Sequence, residues 1–363
     1  MSHTIQPGHH RGADKAHTEN FPALRPRLGH RRAAFWNASH VLLLAAVLLA
    51  GCGLGAPWQA GTAGAARNTT LTVGPDDGPG PILETIRGAR RRILLEMYML
   101  TSPEAVTALI AARAAGVDVR VLLEPAPFGA PDANLAAFTA LAAAGVDVRW
   151  VARRTGLVHA KLLIADDRAA VIMSLNLTTA GLGLNREFAI TDADPIDVQW
   201  AQTIWNADAI GAEPGTPPAT TRLITSPLDA RSRLTRLIES ARTSIVVEME
   251  ELSDPRLLQQ FTAAHTRGVA VTVVAPASDT SAATAAALRA LAAAGVTVRV
   301  VPAPTIHAKA MVIDQRIAYV GSVNFTRASL DDNREVGILL DIPAAVARIS
   351  TTIAGDAARG GPP

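Results

Sequence analysis

Apolar positions along the chain alternate between short runs of strand type and helical segments, and the alternation repeats with a period near 150 residues. In the first pass, Ile82–Arg92 reads as a helix feeding a strand over Ile93–Tyr98; in the second, Leu234–Arg242 feeds Ile245–Met249. Ser102-Pro103 opens a helix that Gly116 closes, ahead of a strand Val117–Leu123; the counterparts are Asp254-Pro255, Gly268 and Val269–Val274. The run from Leu141 through Gly145 to Arg149 is nearly spelled again from Leu291 through Gly295 to Arg299. Next come paired apolar runs, Val158–Ala165 and Ala169–Leu175, joined by a turn at Asp166-Asp167-Arg168. This order predicts an α/β fold of two similar lobes, each a mixed β-sheet flanked by helices. Lobe one is expected over residues 68–210, a Gly- and Pro-rich linker over 211–219, lobe two over 220–354 and a frayed tail over 355–363. Trp200 and Trp205 are assigned to the core closing lobe one.

The beginning of the chain follows another pattern. Residues 1–40 are polar and of disordered composition, and Arg31-Arg32 precede an unbroken apolar run, Val41–Ala50. Ten residues are too few to span a bilayer and suit a signal-peptide core. Leu49-Ala50-Gly51-Cys52 resembles the lipobox of bacterial lipoproteins, which implies a leader over 1–52, lipidation of Cys52 and a small-residue tether over 53–67. Cys52 is the only cysteine, so an intrachain disulfide is excluded. The expected location is extracytoplasmic, as a membrane-anchored lipoprotein of the bacterial envelope or a secreted protein. Charge changes with the leader: residues 1–51 hold six of the 34 basic and two of the 32 acidic residues, leaving 28 against 30. No global basic field draws the remainder to nucleic acid, and aromatic residues for stacking single strands are scarce.

Two polar constellations sit inside the paired apolar runs. His159, Lys161, Asp166, Ser174, Asn176 and Glu187 are spaced identically to His307, Lys309, Asp314, Ser322, Asn324 and Glu335, at +2, +7, +15, +17 and +28 from each His. Lys161 and Lys309 are the only lysines beyond the leader in a chain otherwise committed to Arg. A compact ammonium at these two positions suits a single phosphoryl oxygen. On a strand His159 and Lys161 share a face, whereas Asp166 has the opposite parity and braces the turn. With Asp167-Arg168 as central turn residues, His159 falls opposite Asn176 and Lys161 opposite Ser174. The same construction about Gln315-Arg316 sets His307 opposite Asn324 and Lys309 opposite Ser322. Such groups on an apolar sheet face must meet each other or a polar ligand. The remaining histidine, His265, reads as a surface residue of a helix.

The pattern His-x-Lys-x4-Asp-x6-Gly-Ser-x-Asn with a later Glu resembles the phospholipase D superfamily. The second copy matches throughout, including Gly321; the first departs at Met173, where altered packing is expected. The resemblance implies lobes related by a pseudo-twofold axis, with one active site between them and both halves in a single, monomeric chain. It implies that His159 attacks phosphorus to form a phosphohistidine and that His307 serves as acid and then base. Lys161, Lys309, Asn176 and Asn324 would hold phosphoryl oxygens with support from Ser174 and Ser322, and Asp166 and Asp314 are counted with the catalytic motif. Glu187 and Glu335 would each bond the second nitrogen of a His, with the pairing left open. The lysines supply the charge a metal would bring, so no cofactor or metal is expected. The expected activity is hydrolysis or transfer of phospholipid headgroups, with the membrane as anchor and substrate source. The alternatives are a cardiolipin-synthase-like phosphatidyltransferase, a secreted nuclease, for which alone nucleic acid would be a partner, and a catalytically silent binder of phosphorylated ligands.

Overall fold

The structure, a computed structural model, describes residues 69–152, 156–278 and 280–363. The leader, Cys52 and the tether lie outside the described residues. Lobe one runs β1 (Thr69–Gly74), α1 (Gly80–Gly88), β2 (Arg92–Met97), α2 (Pro103–Ala114), β3 (Asp118–Leu123), α3 (Leu135–Ala143), β4 (Asp147–Trp150), β5 (Lys161–Ala165), β6 (Ala169–Met173), α4 (Thr179–Gly183), β7 (Glu187–Asp192) and α5 (Pro195–Ala209). Lobe two runs β8 (Leu223–Ser226), α6 (Ala230–Ser240), β9 (Ser244–Met249), α7 (Pro255–Thr266), β10 (Ala270–Pro276), α8 (Ala282–Ala293), β11 (Thr297–Val301), β12 (Lys309–Ile313), β13 (Ile317–Gly321), a π-turn at Ala328–Asp332, β14 (Glu335–Leu340) and α9 (Pro343–Arg359).

Each lobe carries a seven-stranded sheet, β1-β7-β6-β5-β2-β3-β4 in one and β8-β14-β13-β12-β9-β10-β11 in the other. The orders correspond strand for strand. In each, three strands pair in parallel and the rest antiparallel, which is the expected mixed sheet. Helices start where the sequence supplies caps: Ser102 accepts from the N–H of Ala105 ahead of Pro103, and Asp254 from that of Leu257 ahead of Pro255. The inner faces of the two sheets share one core, in which Leu162, Ile172 and Ile190 of lobe one join Ala310, Val320 and Ile338 of lobe two. Helices α5 and α9 add Trp200, Ile204 and Trp205, and Ile349 and Ile353, to the same core. A separate outer core packs α1, α2 and α3 onto the other face of sheet one. Burial of this shared face makes both lobes parts of one compact unit. Among the described residues, no helix is long and apolar enough to cross a membrane.

Three expectations need correction. The tail over 355–363 is not frayed: α9 continues to Arg359, Asp356 is buried against Arg186, and Gly361 bridges to Val300. The internal acid holds the helix down because it neutralises a buried guanidinium. The hairpin frame is also shifted by one residue. Asp166 and Asp167 both adopt positive φ and the Arg168 N–H returns to Ala165 O at 3.0 Å, so Leu162 pairs with Ile172 and Ala165 with Ala169. The same turn at Asp314 and Gln315 pairs Ala310 with Val320. Ser174 and Ser322 therefore do not stand opposite the lysines. Finally, regular pairing in β5 and β12 begins only at the Lys, and the residues before it cross to the other lobe. Val158 bridges Arg334 and Ile306 bridges Arg186 in parallel; His159 N–H donates to Arg334 O at 2.9 Å and His307 N–H to Arg186 O at 3.2 Å.

The departure at Met173 has a packing counterpart. Met173 pairs with Ala189 and fills the outer core of lobe one. Gly321 pairs with Gly337, and a Cβ on Gly321 would lie 2.3 Å from the Gly337 Cα and 2.9 Å from the Tyr319 hydroxyl. In lobe two the buried Tyr319 ring occupies the space these glycines leave, and its hydroxyl accepts from the Val323 N–H at 3.1 Å.

Candidate active site

The strand exchange before each His brings the two constellations together. His159 enters on a segment hydrogen-bonded to the start of β14, whose first residue is Glu335; His307 enters on a segment bonded to the start of β7, whose first residue is Glu187. The pairs are consequently crosswise between lobes. His159 Nδ1 lies 2.9 and 3.0 Å from the Glu335 carboxylate oxygens. His307 Nδ1 lies 2.6 Å from Glu187 Oε1, at ion-pairing distance though out of line for a hydrogen bond. Both carboxylates are buried, while the His side chains stay 13% and 18% exposed, so only the imidazoles open outward. A Glu on Nδ1 directs the Nε2 lone pair or proton toward the opening.

Lys161 and Lys309 are fully buried, and each Nζ donates to the carbonyl of its own His, at 2.8 and 2.6 Å. Burial first, and then the neighbouring Lys309 charge, push the Lys161 pKa down to about 7. Burial likewise lowers the His159 pKa; Glu335 opposes the shift and Lys161 adds to it. His159 is therefore neutral near pH 7, with its Nδ1–H donating to the Glu335 carboxylate and Nε2 available.

Ser174 and Ser322 are placed differently from expectation. Both are buried; Ser174 Oγ donates to Glu187 Oε2 at 2.5 Å and accepts from Phe188 N–H, and Ser322 Oγ accepts from Val336 N–H. They fix the Glu strands, a consequence of the shifted hairpin frame. Asn176 and Asn324 are nearly buried, and Asn176 Oδ1 has no hydrogen-bond partner. Asp166 and Asp314 are not brought to the site. At the far end of each hairpin, Asp166 accepts the backbone N–H groups of Arg90, Arg91 and Arg92, and Asp314 those of Arg242, Thr243 and Ser244. They brace the turn against the neighbouring strand, as parity suggests. Among the described residues, no group of three or more His, Cys, Asp or Glu could hold a metal ion.

Three residues at the site were not singled out from the sequence. Tyr98, immediately after β2, sets its ring edge-on to His159 with centroids 4.5 Å apart, and Lys161 Nζ stands 5.0 Å over the same ring. Glu124 accepts from the Val158 N–H at 2.9 Å and so fixes the segment entering His159. Glu250, immediately after β9, binds Lys309 Nζ at 2.5 Å and lies 3.4 Å from His307 Nε2. The repeat itself held the signal for two of them, because Glu96-Met97-Tyr98 aligns with Glu248-Met249-Glu250.

The comparisons with known proteins agree with this arrangement. The family described as "Cardiolipin synthase, PLD-like domain" matches residues 82–208 and again 234–356, one match for each lobe. The chain belongs to this family. Among curated proteins, this phospholipase D-like chain is 29% identical over 136 residues to cardiolipin synthase A of Pseudomonas putida (strain W619), covering 37% of this chain and 28% of that protein. It is 35% identical over 107 residues to the human mitochondrial cardiolipin hydrolase, covering 29% of this chain and 42% of that protein. The matches thus span less than half the length of either relative. Among solved structures, the phosphatidylserine synthase of Haemophilus influenzae Rd KW20 aligns with a TM-score of 0.64 over 82% of this chain and 87% of that one, at 13% identity. That likeness shows a shared two-lobed fold.

Proposed function

We propose that the protein is a phosphatidyltransferase of phospholipase D type: it opens a phospholipid phosphodiester at His159 and passes the phosphatidyl group to an alcohol, with water as the competing acceptor. The observation that carries the reading is the crosswise pairing of His159 with Glu335 and His307 with Glu187, which ties the two half-sites to each other across the lobes. The name of the relatives called cardiolipin synthase supports transfer, and that of the human cardiolipin hydrolase supports keeping water as an acceptor.

In the first step the Nε2 lone pair of His159 forms the P–N bond, the P–O bond to the headgroup breaks, and His307 gives its proton to the departing oxygen. Charge accumulating on the His159 ring is met by Glu335. Lys161, Lys309, Asn176 and Asn324 neutralise the equatorial phosphoryl oxygens. In the second step an alcohol gives its proton to His307 as its oxygen attacks phosphorus, and the P–N bond breaks to restore neutral His159. The lysines carry the charge that a divalent cation would otherwise supply. The lipid anchor expected at Cys52 would hold this chemistry at a membrane surface.

The test is to incubate the full chain in EDTA buffer with mixed phosphatidylglycerol and phosphatidylcholine vesicles and 1-butanol, and to follow products by mass spectrometry. Phosphatidylbutanol or cardiolipin is expected, and its loss in His159→Ala. Absence of both products and of phosphatidic acid, with turnover of a DNA or RNA oligonucleotide in the same buffer, would replace the lipid reading with a nuclease.

A further inference from the structure

The two half-sites differ at one pair of corresponding positions. Met97 pairs with Lys161 and Met249 with Lys309, so Tyr98 and Glu250 take the same place at the end of their strands. In lobe one that place holds a neutral ring against His159 and Lys161. In lobe two it holds a carboxylate that meets Lys309 Nζ at 2.5 Å, His307 Nε2 at 3.4 Å and Asn324 Nδ2 at 3.3 Å. Glu250 is 29% exposed at its side chain, more than Lys309 or His307, so it borders the opening above Lys309. Burial opposes its ionisation, but His307 and Lys309 more than offset that and hold its pKa well below the ordinary carboxylate range.

These contacts divide the cleft electrically. Lys161 has no carboxylate within ion-pairing range among the described residues, whereas Lys309 already has one. Lys161 therefore turns its charge to a phosphoryl oxygen alone, whereas Lys309 shares its charge between such an oxygen and Glu250. The Glu250 side is left for the alcohol, which must lie against His307 Nε2 to exchange its proton. A carboxylate fixed by Lys309 and Asn324 beside that nitrogen is a preorganised acceptor for a second donor on the same alcohol.

We propose that Glu250 is a specificity-determining residue that accepts a hydrogen bond from a second hydroxyl or an ammonium group of the alcohol at His307, favouring 1,2-diols and 1,2-amino alcohols over simple alcohols. The inference rests on the phosphatidyl-transfer reading.

The experiment is a competition within one tube, so that product ratios do not depend on the overall rate. The full chain is given phosphatidylcholine vesicles with equimolar glycerol and 1-propanol, or ethanolamine and 1-propanol, and the phosphatidyl products are counted by mass spectrometry. The unaltered protein should favour glycerol and ethanolamine about tenfold or more, as expected for a charge-assisted hydrogen bond. Glu250→Leu should bring both ratios near one. Glu250→Gln, which keeps an acceptor without the charge, should keep part of the glycerol preference and lose that for ethanolamine; it also serves if the Leu variant does not fold. Either ratio within twofold of the unaltered protein in the Leu variant, or the ethanolamine ratio within twofold in the Gln variant, would overturn the assignment, as would the absence of any preference in the unaltered protein. If the unaltered protein forms neither phosphatidyl products nor phosphatidic acid, phosphatidyl transfer itself fails and the assignment falls with it.

Discussion

Replacing Glu335 by Gln tests the crosswise pair where it matters to the first step. The amide keeps an oxygen for the His159 Nδ1 proton, so the contact at 2.9–3.0 Å can persist while the charge is lost. Glu335 is fully buried on β14, which leaves water little access to replace the charge. As Nε2 attacks phosphorus, the ring becomes cationic, and the bond from Nδ1 to the carboxylate becomes one between two full charges, which the amide cannot match. That difference is worth about 1.5–3 kcal/mol, or roughly ten- to a hundredfold in rate. The pH dependence moves in a defined direction too. Glu335 raises the His159 pKa against the dominant lowering by burial. Without it the pKa falls further, and the acid limb of phosphoenzyme formation shifts to lower pH. The assay is rapid-quench trapping of acid-labile phosphohistidine from lipid labelled at phosphorus, in a variant whose thermal midpoint lies within a few degrees of the original. Formation within twofold of the original rate, with an unshifted acid limb, would refute the role assigned to Glu335.

Other outcomes follow from the same structure. Since the Lys161 pKa is depressed to about 7, chiefly by burial, its cation is lost as pH rises through that value, and kcat/KM for the diester should fall above about pH 7; a profile flat to pH 9 would contradict this. Burial, opposed by Arg186, raises the Glu248 pKa to about 8, above its unfolded value, so the stability it contributes is complete below the unfolded pKa and is lost as pH rises through about 8. Glu248→Gln should remove that slope, worth ~5 kcal/mol at most, and parallel denaturation curves from pH 5 to 9 would count against it. Gly321→Ala forces a Cβ to 2.3 Å from the Gly337 Cα, and overpacking of this kind should cost about 3 kcal/mol, read as a lowered denaturation midpoint; an unchanged midpoint would show that the strands can separate there.

Most of the architecture was legible because its causes are local. Pro103 and Pro255 behind Ser102 and Asp254 start helices in any context, and the apolar runs could only be strands buried on both faces. The repeat then ordered the elements. The hairpin frame was not legible, because it depends on Asp166 and Asp167 both taking positive φ, a choice the three backbone donors at Arg90, Arg91 and Arg92 impose from another strand. That slip misplaced Ser174 and Ser322. The crosswise Glu pairing was equally hidden, since it follows from bridges between lobes and leaves no mark on either repeat taken alone. Asn185-Arg186-Glu187 and Asn333-Arg334-Glu335 did carry a trace of it. Each Arg is buried at the lobe boundary on an acid from the last helix of a lobe, Arg186 on Asp356 and Arg334 on Asp208.

These pairs explain how a duplicated frame can support steps that demand unlike groups. The braces have stayed alike in both lobes: Asp166 and Asp314 at the turns, Arg186 and Arg334 at the bridges, Asp208 and Asp356 behind them. Asp166 and Asp314 lie at the far ends of the hairpins, while Arg186 and Arg334 accept the His307 and His159 N–H groups, so a change in either Arg would displace a His of the other lobe. The lining has diverged instead, Tyr98 against Glu250, and Glu124 against Pro276 at the ends of β3 and β10. A nucleophile must be neutral and free at Nε2, and an aromatic edge beside His159 adds no charge to oppose that. An acid must hold a proton until the leaving oxygen needs it, and carboxylates stand near both ring nitrogens of His307, Glu187 at Nδ1 and Glu250 at Nε2. Symmetry in the frame fixes where the imidazoles stand, and asymmetry in the lining makes their surroundings unlike, as the proposed division into nucleophile and acid requires.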